Sequence, residues 1–171
     1  MAARGALTGQ VVALHVAAAH ACEGRPADGP RPDPEPVSRD CVAVRAGLGL
    51  VGDRYFNHPA HRLSAVTVFA VESLEEVAAG LGLPTTPSPL LVRRNIVLRG
   101  VDVDGLARHD VVSLDTGDGP VRFEAHRPAN PCAWMDVLIA PGAFRAMRGR
   151  GGVRCVPLDD GVLRVGPVAV A

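Results

Sequence analysis

Apolar runs of four to nine residues recur along the chain, each closed by glycine, proline or aspartate turns. This punctuation most limits the folds open to the chain, because short half-buried runs between turns read as strands and leave little room for helix. Thr8 to Val16, Val37 to Val44, Val66 to Phe69, Asn95 to Arg99, Val111 to Leu114 and Val121 to Ala125 are candidate strands. A turn at 116–120 makes 111–125 a hairpin, and Val153 to Leu158 with Val162 to Val165 reads as a closing hairpin around Asp159-Asp160-Gly161. Helical spacing is confined to two places. In 70–79, Val71, Leu74 and Val77 share one face and Gly80 supplies the stop, and a shorter helix starts at Pro141 and runs to Met147. The fold class expected is mainly β (α+β): a closed or nearly closed β-barrel with two or three short helices. With 171 residues and no repeat, one domain is expected, its core over about 8–168. Residues 17–36, with five prolines, form a mobile or extended loop with little to pack.

Several function classes are excluded by composition. The net charge is zero, which argues against nucleic acid as a partner. Lysine is absent, so all 18 basic residues are arginine, a planar fork suited to phosphate and carboxylate. Without lysine the chain cannot hold pyridoxal phosphate as a Schiff base. No apolar run reaches the ~18 residues that a membrane span needs. No signal peptide is visible at the start, so the cytoplasm is expected. Four cysteines in a chain this long do not make a disulfide scaffold, which fits reduced thiols.

One of those cysteines, Cys132, lies in His126-Arg127-Pro128-Ala129-Asn130-Pro131-Cys132-Ala133-Trp134, a stiff stretch directly after a strand. Cationic neighbours favour the thiolate, the form that attacks electrophiles and binds metals. The alternative is a small core residue, as most free cysteines are. Cys41 and Cys155 read as strand side chains. Arginines recur beside glycine, proline and asparagine turns at Arg54, Arg62, Arg93, Arg94, Arg127, Arg148 and Arg150. Forks and exposed amides in loops are what a phosphate-bearing ligand needs. A zinc site from Cys132, Cys155 and one or two of His58, His61 and His126 is a third reading, though the spacings match no standard motif.

The order of Gly-Leu-x-Gly-Asp-Arg (49–54), Arg-x-x-x-Val-Thr (62–67), Arg-Asn-Ile-Val (94–97), Pro-Cys (131–132) and Gly-Arg-Gly-Gly-Val-Arg (149–154) resembles the MOSC domain. That domain occurs at the C-terminus of molybdenum-cofactor sulfurases, in amidoxime-reducing molybdoenzymes and in stand-alone bacterial proteins. The resemblance implies a MOSC-type barrel whose cleft binds the molybdenum cofactor (molybdopterin). Cys132 would be the reactive residue, as metal ligand in the reductase branch or in sulfur delivery in the sulfurase branch. Arg54, Arg62, Arg94, Arg127 and Arg150 would hold the pterin phosphate, with Asn95 and Asn130 on pterin edges. The implied function is reduction of small N-hydroxylated or N-oxide substrates with electrons from a separate protein. The alternative is a sulfur carrier loaded as a persulfide on Cys132 by a cysteine desulfurase. The sequence departs from the family at Gly166-Pro167, where the family usually has Gly-Asp.

Overall fold

Residues 7–171 are described by a computed structural model in which two-residue alternation along the strands builds a closed barrel. In chain order the strands are β1 (Leu7–His15), β2 (Ser38–Arg39), β3 (Cys41–Arg45), β4 (Gly49–Leu50), β5 (Val66–Ala70), β6 (Ile96–Arg99), β7 (Val111–Asp115), β8 (Pro120–Pro128), β9 (Val153–Pro157), β10 (Gly161–Arg164) and β11 (Gly166–Val170). The helices are α1 (Val71–Gly80), α2 (Trp134–Leu138) and α3 (Ala143–Ala146). Seven strands run β1-β11-β7-β8-β9-β5-β6 and return to β1. All pairs in the ring are antiparallel except β5 with β6, which α1 joins as a parallel crossover.

The expected barrel is therefore present and closed, and closure leaves it no free sheet edge. Inward residues such as Val11, Leu14, Val66, Val68, Ile96, Leu98, Phe123 and Cys155 fill its interior. A small sheet of β10, β3 and β4 adds Val42, Val44, Leu50 and Leu163 to the same core. On the outer wall, Ala13, Phe69 and Val97 meet Val71, Leu74 and Val77 of α1 and Trp134 and Met135 of α2. β5 is thus buried on both faces, which explains why it reads as a continuous apolar run rather than an alternating one.

Four expectations need correction. The run 37–44 is not one strand, because it changes sheets at Asp40 between β2 and β3. The proposed closing hairpin does not form: β9 joins the barrel and β10 pairs with β3. The strand that closes the barrel is β11, hidden in sequence by Gly166 and Pro167. α1 ends at Gly80 as expected, and Gly82, at φ 68°, completes the cap just beyond it, with Leu83 N–H donating to Ala78 O and Gly82 N–H to Ala79 O. The helix expected from Pro141 to Met147 shrinks to Ala143–Ala146, and α2 lies just before it.

The proline-rich loop is likewise not an empty extension. Ala17 and Ala21 are buried, Cys22 packs against the outer core, and Asp33 forms a bidentate ion pair with Arg93 at 3.0 and 2.8 Å. The loop therefore docks against the outer wall beside the N-terminal end of β6. Among the described residues no helix is long and apolar enough to cross a membrane.

Candidate functional site

Strand register decides which side chains meet. Arg127 stands opposite Arg154 on neighbouring strands, and Arg154 opposite Thr67. Thr67 and Asn95 lie side by side at the entrances of parallel β5 and β6. All four are out of the barrel interior, so one end of the outer wall carries a row of polar groups.

Asn95 fixes this row. Its side-chain oxygen accepts from the Thr67 amide (2.9 Å) and hydroxyl (3.0 Å). Its amide nitrogen donates to His15 O (3.0 Å) and Asp53 Oδ1 (3.1 Å). Asp53, also buried, accepts from the amides of Ala17 and Tyr55. The Gly-Asp-Arg bend is thereby tied to the wall, and Arg54 and Tyr55 are aimed into the cleft beyond it. Asn95 is 5% exposed and its amide is fully engaged, so it organises the cleft and has no hydrogen-bonding capacity left for a pterin edge.

The cysteine loop is held by Arg94. Its Nε donates to Gly151 O at 2.9 Å and its Nη2 to Ala129 O at 2.9 Å and Asn130 O at 3.4 Å. Gly151 and Gly152 permit this approach, since a Cβ at either would collide with the carbonyl of Ala129 or Val68. Pro128 ends β8, Ala129 is buried beneath the glycines, and Pro131 leads to Cys132 one turn before α2. Cys132 is exposed at the mouth of the cleft.

The cleft is lined by Cys22, Arg54, Tyr55, Arg94, Cys132 and Arg154, with Asn130, Thr67 and Trp134 around them. Its charge is one-sided. Arg93 is paired to Asp33, which raises the Arg93 pKa and lowers that of Asp33. Arg54, Arg94 and Arg154 have no carboxylate partner among the described residues. Burial, then the Arg154 charge, lowers Arg94 to about 10. Burial, then Arg127, lowers Arg154. Arg54 stacks over Tyr55 at 4.5 Å, and its buried Nε has no protein acceptor. Beneath them His15 is 1% exposed, and burial with the charges of Arg93 and Arg54 lowers it to about 4. Three crowded guanidiniums without an acid are a donor set that an anion would complement.

Of the residues singled out from sequence, Cys132, Arg54, Arg94, Asn95 and Asn130 converge here. Arg62 and Arg127 do not line this cleft. They lie in a neighbouring one with Arg108 and His126, although Arg127 is close enough to bias Arg154. Arg150 is a correction: it lines a separate cleft beside α1, where Glu76 takes its fork. The zinc set also fails to assemble. Cys155 is wholly inside the barrel, where burial pushes its thiol up to about 12, and His126 meets His109 and Glu124 instead. Cys22, Tyr55 and Arg154 were not among the sequence candidates. Arg154 is brought in by the β8–β9–β5 register, Cys22 by the docked loop and Tyr55 by the bend that Asp53 ties to the wall.

A family model described as MOSC domain matches residues 56–169. Among solved structures, the YuaD protein from Bacillus subtilis superposes with a TM-score of 0.72 at 16% identity, covering 96% of each chain. YiiM from Geobacillus stearothermophilus gives 0.61 at 15% identity, over 95% of this chain and 75% of that one. YiiM from Escherichia coli gives 0.56 at 14% identity, over 95% and 69%. At these identities the likeness is one of fold. No curated protein matches the chain in sequence.

Proposed function

The chain belongs to the MOSC domain family, a family associated with molybdenum-cofactor binding, and on that premise we propose that its arginine-lined cleft holds this cofactor with the Cys132 thiolate as a ligand to the metal. The observation that carries the reading is the convergence of Arg54, Arg94 and Arg154, none with an acidic partner among the described residues, on the cleft that Cys132 borders. The donor set fits the group: guanidiniums suit its phosphate, and a soft thiolate suits its metal. Arg54 and Arg154 would bind the phosphate. Arg94 carries the Cys132 loop on its own hydrogen bonds and so sets where the thiolate stands. Trp134 and Tyr55 wall the cleft.

When bound, the cofactor supplies two-electron redox chemistry. The reaction we propose is R–NH–OH + 2 electrons + 2 protons → R–NH2 + water, on small N-hydroxylated or N-oxide substrates. The electrons would come from a separate electron-transfer protein. The test is to purify the chain from a cofactor-competent host and measure molybdenum content and amidoxime reduction with a chemical donor. Molybdenum with turnover supports the reading. Protein that stays metal-free and inactive after cofactor reconstitution overturns it.

A second reading rests on a different observation, that Cys22 lines the same cleft as Cys132. Burial raises the Cys22 thiol, whereas Cys132 is exposed, so the two thiols stand in different environments. Such a pair suits a sulfur carrier that takes a persulfide on Cys132 from a cysteine desulfurase. Intact-protein mass spectrometry after incubation with a desulfurase and cysteine tests it. A mass gain of one sulfur atom, mapped to Cys132, is expected; an unmodified Cys132 contradicts it.

A further inference from the structure

Outside the Cys132 cleft, three potential ligands meet on the outer surface of β8. Glu124 and His126 are two residues apart on the strand and share its outward face, while Phe123 and Ala125 point into the barrel. The segment before β7 is hydrogen-bonded onto β8, His109 N–H donating to Ala125 O at 2.7 Å and Ala125 N–H to Asp110 O at 2.8 Å. His109 holds a left-handed backbone at φ 74°, a conformation that non-glycine residues rarely adopt, and its ring lies over the same outward row. One carboxylate oxygen, Glu124 Oε1, is consequently 2.8 Å from His109 Nδ1 and 3.3 Å from His126 Nε2. The two rings are edge to face with centroids 5.5 Å apart. All three ligand atoms lie within 4.8 Å of one another.

We propose that His109 Nδ1, Glu124 Oε1 and His126 Nε2 bind a first-row divalent transition ion, of which zinc is the probe. Two imidazoles and one carboxylate are a donor set that zinc accepts, and a three-residue set leaves a position for water or a small anion. Ligands about 2.1 Å from a tetrahedral ion stand about 3.4 Å apart; the His126–Glu124 contact is near that spacing at 3.3 Å, and the His109–Glu124 hydrogen bond, at 2.8 Å, has to open by about half an ångström to admit the ion. His126 is held, its side chain only 10% exposed, whereas the His109 side chain is 62% exposed and free to close on the ion. No other ligand group competes: no guanidinium is hydrogen-bonded to any of the three among the described residues. His126 also borders the cleft containing Arg62, Arg108 and Arg127, so an anion at the open position would have cations nearby. None of the three ligands lines the Cys132 cleft, so this site stands or falls separately from the cofactor reading.

The test is calorimetric titration of Zn2+ into chelator-stripped protein, for the wild type, Cys132→Ser, His109→Ala and Glu124→Gln. Zinc K-edge absorption identifies the ligand atoms in the loaded Cys132→Ser protein. One equivalent should bind in the wild type and in Cys132→Ser, with nitrogen and oxygen neighbours only. Affinity should fall at least roughly 10-fold in both His109→Ala and Glu124→Gln. Thermal melts confirm folding, and His109 is exposed enough that its truncation leaves the barrel intact. Absence of binding overturns the proposal, as does binding that vanishes with Cys132 or persists unchanged without His109 and Glu124.

Discussion

Two faces of the barrel wall carry arginines next to glycine turns, and they differ in one respect. Beside α1, Arg99 pairs with Glu75 and Arg150 with Glu76. The acids there are also committed, Glu72 to the Gly100 amide and Asp104 to Ser73 and the Gly152 amide. At the Cys132 cleft, Arg54, Arg94 and Arg154 have no such acid among the described residues; of the nearby carboxylates, Asp53 is turned onto backbone amides and Asn95 and Asp33 is taken by Arg93. The same residue type in the same kind of turn is acid-paired on one face and left without an acid on the other. What separates them is the missing acid, a property of three-dimensional neighbours.

The comparison can be broken most decisively at the thiol. Cys132→Ser should abolish cofactor-dependent turnover, by more than about 100-fold, while Cys41→Ser, equally exposed on β3, should leave it unchanged. Steady-state amidoxime reduction by equally loaded proteins measures this. Next in size is Arg94→Ala, which strips the carbonyls of Ala129, Asn130 and Gly151 of their donor. Urea unfolding should show a loss of about 2–4 kcal/mol, and cofactor should be retained poorly because the Cys132 loop is released. Arg94→Lys should keep the charge and recover only part of either property, since an ammonium lacks the fork.

Arg54→Ala and Arg154→Ala should each weaken cofactor retention by roughly 10- to 100-fold, the worth of one charge-assisted hydrogen bond. Neither should destabilise the cofactor-free protein, because both relieve like-charge crowding. Arg150→Ala, on the paired face, should change retention less than about twofold and stability by less than about 0.5 kcal/mol. Equal effects of Arg150 and Arg154 would erase the distinction between the faces.

A separate effect, on stability and not on retention, is acid sensitivity beneath the cleft. His15 is lowered from 6.5 to about 4, so between those values the unfolded chain takes up a proton that the native state refuses. Stability is complete above about pH 6.5 and falls as pH drops towards 4, by up to about 3 kcal/mol from this group. His15→Leu should remove that component, which urea unfolding at pH 7 and pH 4.5 would register.

The barrel was legible because alternation and turn residues are local signals, and six of the seven barrel strands carry them. β11 was missed because Gly166 and Pro167 resemble a terminator, although Val168 and Val170 pack inward and close the ring. The 153–165 hairpin was misread because a good turn sequence at 159–161 says nothing about which sheets its flanking strands join. Cys132 and Arg94 were legible from motif order. Arg154, Cys22 and Tyr55 were not, since Arg154 reaches the cleft through register, Cys22 through a docked loop and Tyr55 through a bend tied to the wall by Asp53. Arg150 was misplaced for the converse reason: Glu76, on α1, is far away in sequence and adjacent in space.

The central claim is that the unpaired arginines and Cys132 form one receptor for an anionic, thiolate-ligated metal cofactor. Molybdenum K-edge absorption on wild-type and Cys132→Ser protein from a cofactor-competent host tests it most directly. The account predicts molybdenum in the wild type with one more sulfur neighbour than in the variant. Identical sulfur counts in the two proteins, or no molybdenum in either, would contradict it.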